Sequence, residues 1–493
     1  MNTQSLNRRW LLGGVVASAM VVATQRAEAE SRSTLRARAR AIVKRIKRPT
    51  IPSRDFHITT YGGRGDGKTD NSDAIAQALE ACQAAGGGRI ILPEGVCLSG
   101  PITLGSHMEL HIPAGCRLKF IPEPERHLPP VHTRWEGVEL MGYKPLIYAF
   151  EATDIAVTGA GTIDGSANDQ TWWPWKGPWE NRYADTPVAE RQAADRARLF
   201  EMAEQGVPVA ERVFGQGNRL RPSLFQPYRC TNVLVEGVTV VDSPFWLLHP
   251  VECQSLTFKG VTCSSHGPNN DGLDPESCQD VLIEDCVFDT GDDCVAIKAG
   301  RNADGRRIAK PCENIVIRNC QMKDGHAGLA IGSEMTGGVR NVFLQNCVMD
   351  SPHLLRALVI KTNSYRGGHI EDIHLEGIKA GQVGRALVQI WLHYEEGAGG
   401  DHIPTVNKVS IRDVRVASTD RVLVVRGYGT HPITGLELEN VTVDRENLPS
   451  VVLDTDRIGL KNVRVNGTRW TQADIARLPG LESLTCDKWG ICR

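Results

Sequence analysis

A short apolar pattern recurs through the second half of this 493-residue chain. In the stretch NVLVEGVTV, apolar side chains fall at Val233, Val235, Val238 and Val240, so a two-residue step separates two alternating pairs. The pattern restarts every 22 to 36 residues, at Leu256, Val281, Ile315, Val342, Ile373, Val409, Leu436 and Ile458. Alternation with a period of two indicates β-strands, and a repeat of this length built from short strands is typical of a solenoid.

Single coils of this kind cannot bury their apolar faces, but coils stacked about 4.8 Å apart in parallel sheets can. We therefore predict an all-β fold, a single-stranded right-handed parallel β-helix that spans residues 55–485. Near its start, Ile75, Leu79 and Cys82 have helical spacing, and a run of glycines follows. We predict a helix here that caps the open end of the solenoid, with Asp70 or Ser72 as its N-cap.

Residues from about 166 to 222 interrupt the repeat, and we predict an insertion that covers one face of the solenoid. A tryptophan-rich stretch comes first and contains Trp172, Trp173, Trp175 and Trp179. A segment with helical spacing follows it. The tryptophans have two open interpretations: they hold the insertion against the solenoid, or they form an aromatic wall for sugar rings.

The two ends of the chain differ from the solenoid. Residues 1–29 combine Arg8 and Arg9, an apolar stretch and small residues at AEA, as in a twin-arginine signal peptide for export to the periplasm or beyond. A single-pass anchor is the alternative. Residues 30–54 are a predicted basic linker, either solvated, loosely helical or lying on an anionic surface. Residues 486–493 form a tail with a candidate disulfide between Cys486 and Cys492.

Two sets of cysteines recur at fixed positions of the repeat. One set lies three residues before the first apolar residue and comprises Cys230, Cys253, Cys278 and Cys312. The other lies directly after the two-residue step and comprises Cys286, Cys320 and Cys347. Free cysteine packs well as a small buried residue, so we predict cysteine ladders in the core and no disulfides among them.

Polar residues of four consecutive coils fall at one point of the repeat, after the second short strand and at the start of the next. They are Asn269, Asp271, Asp292, Asp293, His326 and Lys361. Singly, each is readily explained as a turn or surface residue. Equal register in a stacked solenoid means neighbouring space, however, so we predict that these side chains line one groove and form a functional site.

Three carboxyl groups held close together cannot all ionise easily, so the pKa of one of them should rise. Hydrolysis of a glycosidic bond needs one protonated carboxyl group for the leaving oxygen and one ionised group to activate water. A separation above about 6.5 Å would leave room for that water and would predict inversion of the anomeric centre. The formal net charge of −2 gives no indication of a nucleic-acid partner.

These stretches together resemble the signature of glycoside hydrolase family 28, the polygalacturonases and their relatives: NND with a following DG, then GDD, then GHAG and IGSE, then IKT. YGGRGDGKTDNSDAI and AAGGGRIILPEG are similar to the bacterial, exo-acting branch. The resemblance covers residues from about 55 to 470. It implies a pectin-lyase-like solenoid, a pectic polysaccharide as the partner, and neither a metal nor another cofactor.

The resemblance also implies a role for each catalytic residue. Asp292 matches the general acid, and Asp271 and Asp293 match the carboxylates that hold and activate water. His326 matches a histidine that tunes the acid or contacts the substrate.

The substrate-binding positions match less completely. Asn269 and Lys361 correspond to substrate contacts, and the lysine pairs with a uronate carboxylate. Val359 stands where the family has an arginine that grips the sugar acid, and we expect Arg356 or Arg366 to replace it. The substitution is compatible with a partly neutral or branched pectic chain.

We therefore predict an inverting, exo-acting hydrolase of galacturonan-type polysaccharide. One alternative is a calcium-dependent polysaccharide lyase, in which the three aspartates would ligate calcium. Such a lyase needs a basic residue, and we expect no arginine in the groove register beside the acids. A non-catalytic carbohydrate-binding solenoid is the other alternative, which the intact acids disfavour.

Overall fold

The computed structural model describes residues 31–480 and 485–492, so the predicted signal peptide at 1–29 lies outside the described residues. The chain divides into two compact units, Met1–Ala41 and Ile42–Arg493. Its first described element is helix α1, Arg32–Arg45, which makes the basic segment helical. Among the described residues, no helix combines the length and apolar character that a membrane crossing needs.

The second unit is built on stacked parallel strands. Equivalent positions of the repeat pair in register, as Val233 does with Leu256 and Leu256 with Val281. The predicted parallel β-helix is therefore confirmed. The largest sheet system contains Asp55–His57, Asp66–Asp70, Gly88–Ile91, Gly95–Ser99, Met108–His111, Cys116–Phe120, Thr153–Thr158, Thr162–Asp164, Thr231–Glu236, Thr239–Val241, Gln254–Lys259, Thr262–Ser265, Gln279–Glu284, Val287–Thr290, Cys312–Arg318, Gln321–Asp324, Val339–Gln345, Val348–Ser351, His369–Glu376, Lys379–Val383, Thr405–Thr419, Thr434–Glu446, Gly459–Val465 and Thr468–Arg469.

Another face of the solenoid carries two shorter parallel sheets. One contains Ile102–Thr103, Ile147–Phe150 and Phe225–Tyr228. The other contains Val295–Ile297, Leu329–Gly332, Arg356–Lys361, Ala386–Trp391, Arg421–Arg426 and Val451–Leu453. Isolated bridges continue the stack between them, from Phe225 to Leu248, Leu248 to Leu273 and Leu273 to Val295. This irregular part of the face leaves room for polar side chains.

The two-residue step of the repeat is a corner at which one residue adopts a left-handed backbone. Residue types that tolerate a positive φ occupy the corner in every coil: Gly237, Gly260, Asp285, Asn319, Asn346, Gly377, Asp413, Asn440 and Asn462. Corner side chains also bond along the stack, since Asn462 Nδ2 donates to Asn440 Oδ1 at 2.9 Å and Asn440 Nδ2 donates to Asp413 Oδ1 at 3.0 Å.

The cysteine ladders are buried, as predicted. All cysteines other than Cys486 and Cys492 are free and buried, and those two form the expected disulfide. Within one ladder, the backbone N–H of Cys230 donates to Sγ of Cys253 at 3.3 Å. The thiols thus take positions that other coils fill with aliphatic side chains.

Helix α2, Ser72–Ala84, caps the start of the solenoid and buries Ile75 and Cys82 in the common core. Its N-cap is Asn71, so the prediction of Asp70 or Ser72 is wrong. The side chain of Asn71 is buried and bonds the backbone of Arg64 and Leu98. Asn71 therefore fixes the turn that leads into the helix, a role its neighbours at the surface cannot take.

The region 166–222 forms the wall of one face. It contains helix α3, Ala193–Glu204, the 3₁₀ turns Trp173–Lys176, Val188–Glu190 and Val209–Glu211, and the strand Val213–Phe214. That strand extends an antiparallel hairpin, Val131–Trp135 and Val138–Gly142, which the repeat analysis did not separate from the coils. The remaining helices are the 3₁₀ turns Ile58–Tyr61 and Pro124–His127, and helices α4, Asn302–Ile308, and α5, Gln472–Ala476.

A buried ionic contact anchors the hairpin to the solenoid. Arg134 is fully buried, and its guanidinium lies 2.6 Å from Glu252 and 3.2 Å from Glu276. Breaking a buried pair of this kind leaves an uncompensated charge, so the contact strongly favours one position of the hairpin. It thereby fixes Glu136 at the hairpin tip, which faces the pocket described below.

Candidate active site

A pocket of about 540 Å³ opens on the irregular part of the solenoid face. This volume is in the usual range for a small-molecule site. The structure brings every site residue proposed from the sequence to its lining: Asn269, Asp271, Asp292, Asp293, His326, Arg356 and Lys361.

Strand register explains why the three aspartates meet. Leu273 pairs with Val295 on the next coil, and Asp271 and Asp293 each lie two residues before this pair. One oxygen from each of Asp271, Asp292 and Asp293 lies within 4.8 Å of the others. This is closer than the 6.5 Å that we associated with inversion, so the separation of the carboxyl groups does not by itself predict the stereochemical outcome.

His326 occupies the position of Asp292 one coil further along the stack. Its Nδ1 lies 2.9 Å from Oδ1 of Asp292. The negative charge of Asp292 raises the pKa of His326 and outweighs the effect of burial. For Asp292, burial favours the neutral form, but the His326 imidazolium opposes it and places the pKa below its usual range.

Asp271 behaves in the opposite way. Burial, together with the charges of Asp274 and Asp292, raises its pKa well above the usual value. The sequence argument that crowding must raise one pKa is therefore right. In the unliganded site the rise falls on Asp271, however, and not on Asp292, the residue that matches the general acid.

Lys361 is not at the register position expected for it. It pairs with Gly332, at the far end of its strand, whereas Arg356 lies two residues before Leu358, as Asp293 does before Val295. Lys361 reaches back along the groove because its side chain is long, and Nζ lies 2.6 Å from Oδ2 of Asp293.

The structure places the two arginines that were considered as replacements for the missing one in different surroundings. Val359 packs with Ala296 and Ala330 in a small apolar cluster beneath the pocket. Arg356 lines the pocket, whereas Arg366 is fully buried elsewhere and pairs with Glu396 at 3.3 Å. The expectation that no arginine stands beside the acids is therefore wrong for Arg356.

Three buried ionisable residues near the aspartates, Lys298, Glu334 and Asp274, were missed in the sequence. Lys298 Nζ lies 3.8 Å from Asp271 and 3.4 Å from Glu334. Asp274 is fully buried, and neither of its carboxylate oxygens has a hydrogen-bond partner among the described residues. Lys298 directly follows the buried strand Val295–Ile297, and a lysine in that place was a usable signal.

The insertion supplies one wall of the pocket through Lys176, Trp179 and Arg196, and the hairpin tip adds Glu136. The two interpretations of the tryptophans each hold for different residues. Trp172 and Trp173 are buried, and Trp173 Nε1 donates to the carbonyl of Ser243 at 2.9 Å, so these residues hold the insertion in place. Trp179 alone of the four lines the pocket.

Two further contacts shape the binding surface. Arg221 Nη2 donates to Oδ1 of Asn269 at 2.8 Å, which leaves the amide NH₂ of Asn269 available to a ligand. On the other side, Tyr394 lies with its ring centroid 5.7 Å from Nζ of Lys361. Polar and aromatic groups that suit a carbohydrate thus flank the carboxylates on both sides.

The three aspartates are also the residues that would hold a cation. Their oxygens are close enough to share one ion, and oxygen ligands suit calcium. Lys361 and Lys298 already supply ammonium groups to the same carboxylates, at 2.6 Å and 3.8 Å. The buried negative charge is thus balanced by side chains of the chain itself.

Comparisons with known proteins agree with this geometry. The sequence model of the family described as glycosyl hydrolases family 28 matches residues 210–456. The chain is similar to a crystallised hyperthermoactive exopolygalacturonase from Thermotoga maritima, with 43% identity, a TM-score of 0.85, and coverage of 88% of this chain and 97% of that one.

The chain is also similar, at lower identity, to curated sequences of polygalacturonase type. A probable polygalacturonase from Vitis vinifera is 27% identical and covers 78% of this chain and 73% of its own length. An exo-poly-alpha-D-galacturonosidase from Dickeya chrysanthemi is 25% identical, with coverage of 73% and 62%.

A parallel β-helix with clustered carboxyl groups in a groove, together with these matches, defines a glycoside hydrolase. The chain belongs to glycosyl hydrolase family 28.

Proposed function

We propose that the protein hydrolyses galacturonan-type pectic polysaccharide and acts at a chain end. The main support is the arrangement of Asp292, paired with His326, opposite Asp271 and Asp293 in one pocket that also contains basic side chains. Carboxyl groups perform the hydrolysis, and the basic groups suit a substrate that carries one carboxylate on each sugar.

Asp292 and His326 hold one proton between them across their 2.9 Å contact. In the unliganded site this proton resides on His326, as the directions of both pKa shifts require. A bound sugar excludes water and brings the glycosidic oxygen to Asp292. The proton then passes from Nδ1 of His326 through the carboxyl group of Asp292 to that oxygen, while the bond from the oxygen to the anomeric carbon breaks.

Water attacks the anomeric carbon from the side of the other two aspartates. Oδ1 of Asp271 and Oδ1 of Asp293 are buried and have no hydrogen-bond partner in the described structure, so each is available to a water molecule. Asp293, held by Lys361, accepts the water proton, and Asp271 orients the water. The products are a sugar with a new hydroxyl group and one with a new hemiacetal.

Exo action is supported by the walls of the pocket. Residues of the insertion, including Trp179 and Lys176, line the same pocket as the carboxylates. A groove that side chains from outside the solenoid close in this way accepts a chain end more readily than the middle of a long polymer. The similarity to an exopolygalacturonase at 43% identity points the same way.

The decisive experiment is product analysis on homogalacturonan, rhamnogalacturonan and short oligogalacturonides. We expect galacturonate monomer as the early product from homogalacturonan and no activity in Asp292→Asn, whose circular dichroism should match the wild type. Mixed oligomers at early times would contradict exo action. An unsaturated product would support the lyase.

We also propose export, on the basis of the twin-arginine stretch near Arg8 and Arg9. The expected result is that a double substitution, Arg8→Lys with Arg9→Lys, leaves the protein in the cytoplasm when the wild type is recovered outside it. Equal distribution of the two forms after cell fractionation would contradict the proposal.

A further inference from the structure

The C-terminal disulfide loop, residues 486–492, forms part of the pocket wall. Trp489 and Ile491 line the pocket together with Asp292 and Lys361. The coils do not supply these side chains, and the match to the family's sequence model ends at residue 456. The loop therefore adds to the pocket something that the family signature does not account for.

The loop is docked on the solenoid by specific contacts. Gln389 Nε2 donates to the carbonyl of Trp489 at 2.9 Å, and the backbone N–H of Glu395 donates to the carbonyl of Lys488 at 3.2 Å. The Trp489 ring meets the Tyr394 ring edge to face, with centroids 5.1 Å apart. These contacts orient Trp489 beside the ring that faces Lys361.

Gly490 brings the loop close to the coil beneath it. Its φ is 73°, and a Cβ at this position would lie 2.6 Å from Nε2 of Gln389 and 2.8 Å from the Trp391 ring. A larger residue would therefore push the loop away from the solenoid, without changing the disulfide or Trp489.

Two arginines, Arg356 and Arg385, line the pocket together with Trp489. In the described part of the chain, neither Arg356 nor Arg385 has a carboxylate oxygen within 4.0 Å. Within residues 31–480 and 485–492, the guanidinium of Arg356 donates only to neutral acceptors, Oε1 of Gln389 at 2.5 Å and the carbonyl of His326 at 3.4 Å. Burial and the nearby charge of Arg385 lower the pKa of Arg356 to about 10. A bound carboxylate would supply an anionic acceptor for both guanidinium groups.

We propose that the disulfide loop, Arg356 and Arg385 form a subsite for a second uronate unit, on the Lys361 side of the catalytic carboxylates. The inference rests on the proposed function. Trp489 contributes a face for the sugar ring, and the two arginines bind its carboxylate. Cys486–Cys492 is the one disulfide among the chain's cysteines, all of which the structure describes, so reduction acts on this subsite alone.

The first test compares KM and kcat for trigalacturonate. We expect Trp489→Ala to raise KM about threefold to tenfold, the range for loss of one aromatic contact, with kcat within about twofold. Gly490→Ala should reproduce the change with the ring still present, and Trp489→Phe should retain most of the affinity. Unchanged KM in both Trp489→Ala and Gly490→Ala would overturn the proposal.

The second test reduces the disulfide and, separately, removes the charge of Arg385. Dithiothreitol should raise KM in the wild type and have no effect on a Cys486→Ser, Cys492→Ser double variant, which should already show the raised value. Arg385→Ala should lose the preference for the free acid over its methyl ester. A wild type that preserves KM under full reduction, or an Arg385→Ala variant that keeps the preference, would overturn the subsite. Absence of wild-type turnover on any pectic oligosaccharide would instead refute the proposed function.

Discussion

Asp271 and Asp292 are neighbours with opposite electrostatic balances, so replacement of each by asparagine should change stability in opposite directions. Asp271 faces two carboxylates within 4.8 Å and one ammonium at 3.8 Å. At an effective dielectric constant of about 20, each repulsion costs about 3.5 kcal/mol and the attraction returns about 4.4 kcal/mol. Asp271→Asn should therefore increase the free energy of unfolding by roughly 2.6 kcal/mol near neutral pH.

The change in the free energy of unfolding depends on pH for both variants. The pKa of Asp271 is raised on folding, so its contribution to stability is present below the unfolded pKa of about 3.9 and is lost as pH rises toward the folded pKa. The advantage of Asp271→Asn should thus disappear near pH 4 and grow above it. The pKa of Asp292 is lowered on folding, so its ionised carboxylate stabilises the protein at neutral pH. Asp292→Asn should therefore lower the free energy of unfolding by on the order of 1 kcal/mol at neutral pH. This loss should vanish only as pH falls through the folded pKa of Asp292.

Urea unfolding of both variants and the wild type at about pH 7 and pH 4, followed by circular dichroism, measures these differences. Both variants should lack activity, so activity does not distinguish them and each serves as the matched control for the other. A lower stability of Asp271→Asn than of wild type at pH 7, or the same sign for both variants, would refute the electrostatic account of the site.

Three further outcomes follow from the site. The pKa of His326, measured by NMR titration, should fall in Asp292→Asn because the carboxylate that raises it is gone; an unchanged value would show that the charge of Asp292 does not raise the pKa of His326. Proton NMR of the first product should show the anomer opposite to that of the substrate linkage, and retention would place a covalent intermediate on one of the aspartates. A chelator should leave the initial rate unchanged, whereas a loss that calcium restores would favour the lyase.

Much of the site could be predicted because the solenoid converts sequence period into spatial proximity. Asp271, Asp292 and His326 are tens of residues apart in the chain, and the repeat alone indicated that they meet. The register position of Lys361 was predicted wrongly, because the repeat gives the position of a residue in its strand and not how far its side chain reaches along the groove. Its reach back to Asp293 depends on side-chain conformation, which periodicity does not describe.

Other parts of the site had weak or no signals in the sequence. Glu136 and Trp179 come from segments outside the coils, and their positions depend on how the hairpin and the insertion pack against the solenoid. The N-cap at Asn71 was missed because three polar residues in a row can each begin a helix, and burial decides among them. Trp489 lies in a stretch whose cysteine pair was recognised, but the repeat carries no information about where a tail docks.

The buried thiols have a consequence for the way this protein must be handled. Once the chain is denatured, the twelve free cysteines that are buried in the folded protein become reactive together. An oxidant present at that moment would join many of them in wrong pairs and prevent return to the native state. Recovery after denaturation should therefore be high with a reducing agent and poor without one, although the terminal disulfide loop itself needs oxidation afterwards.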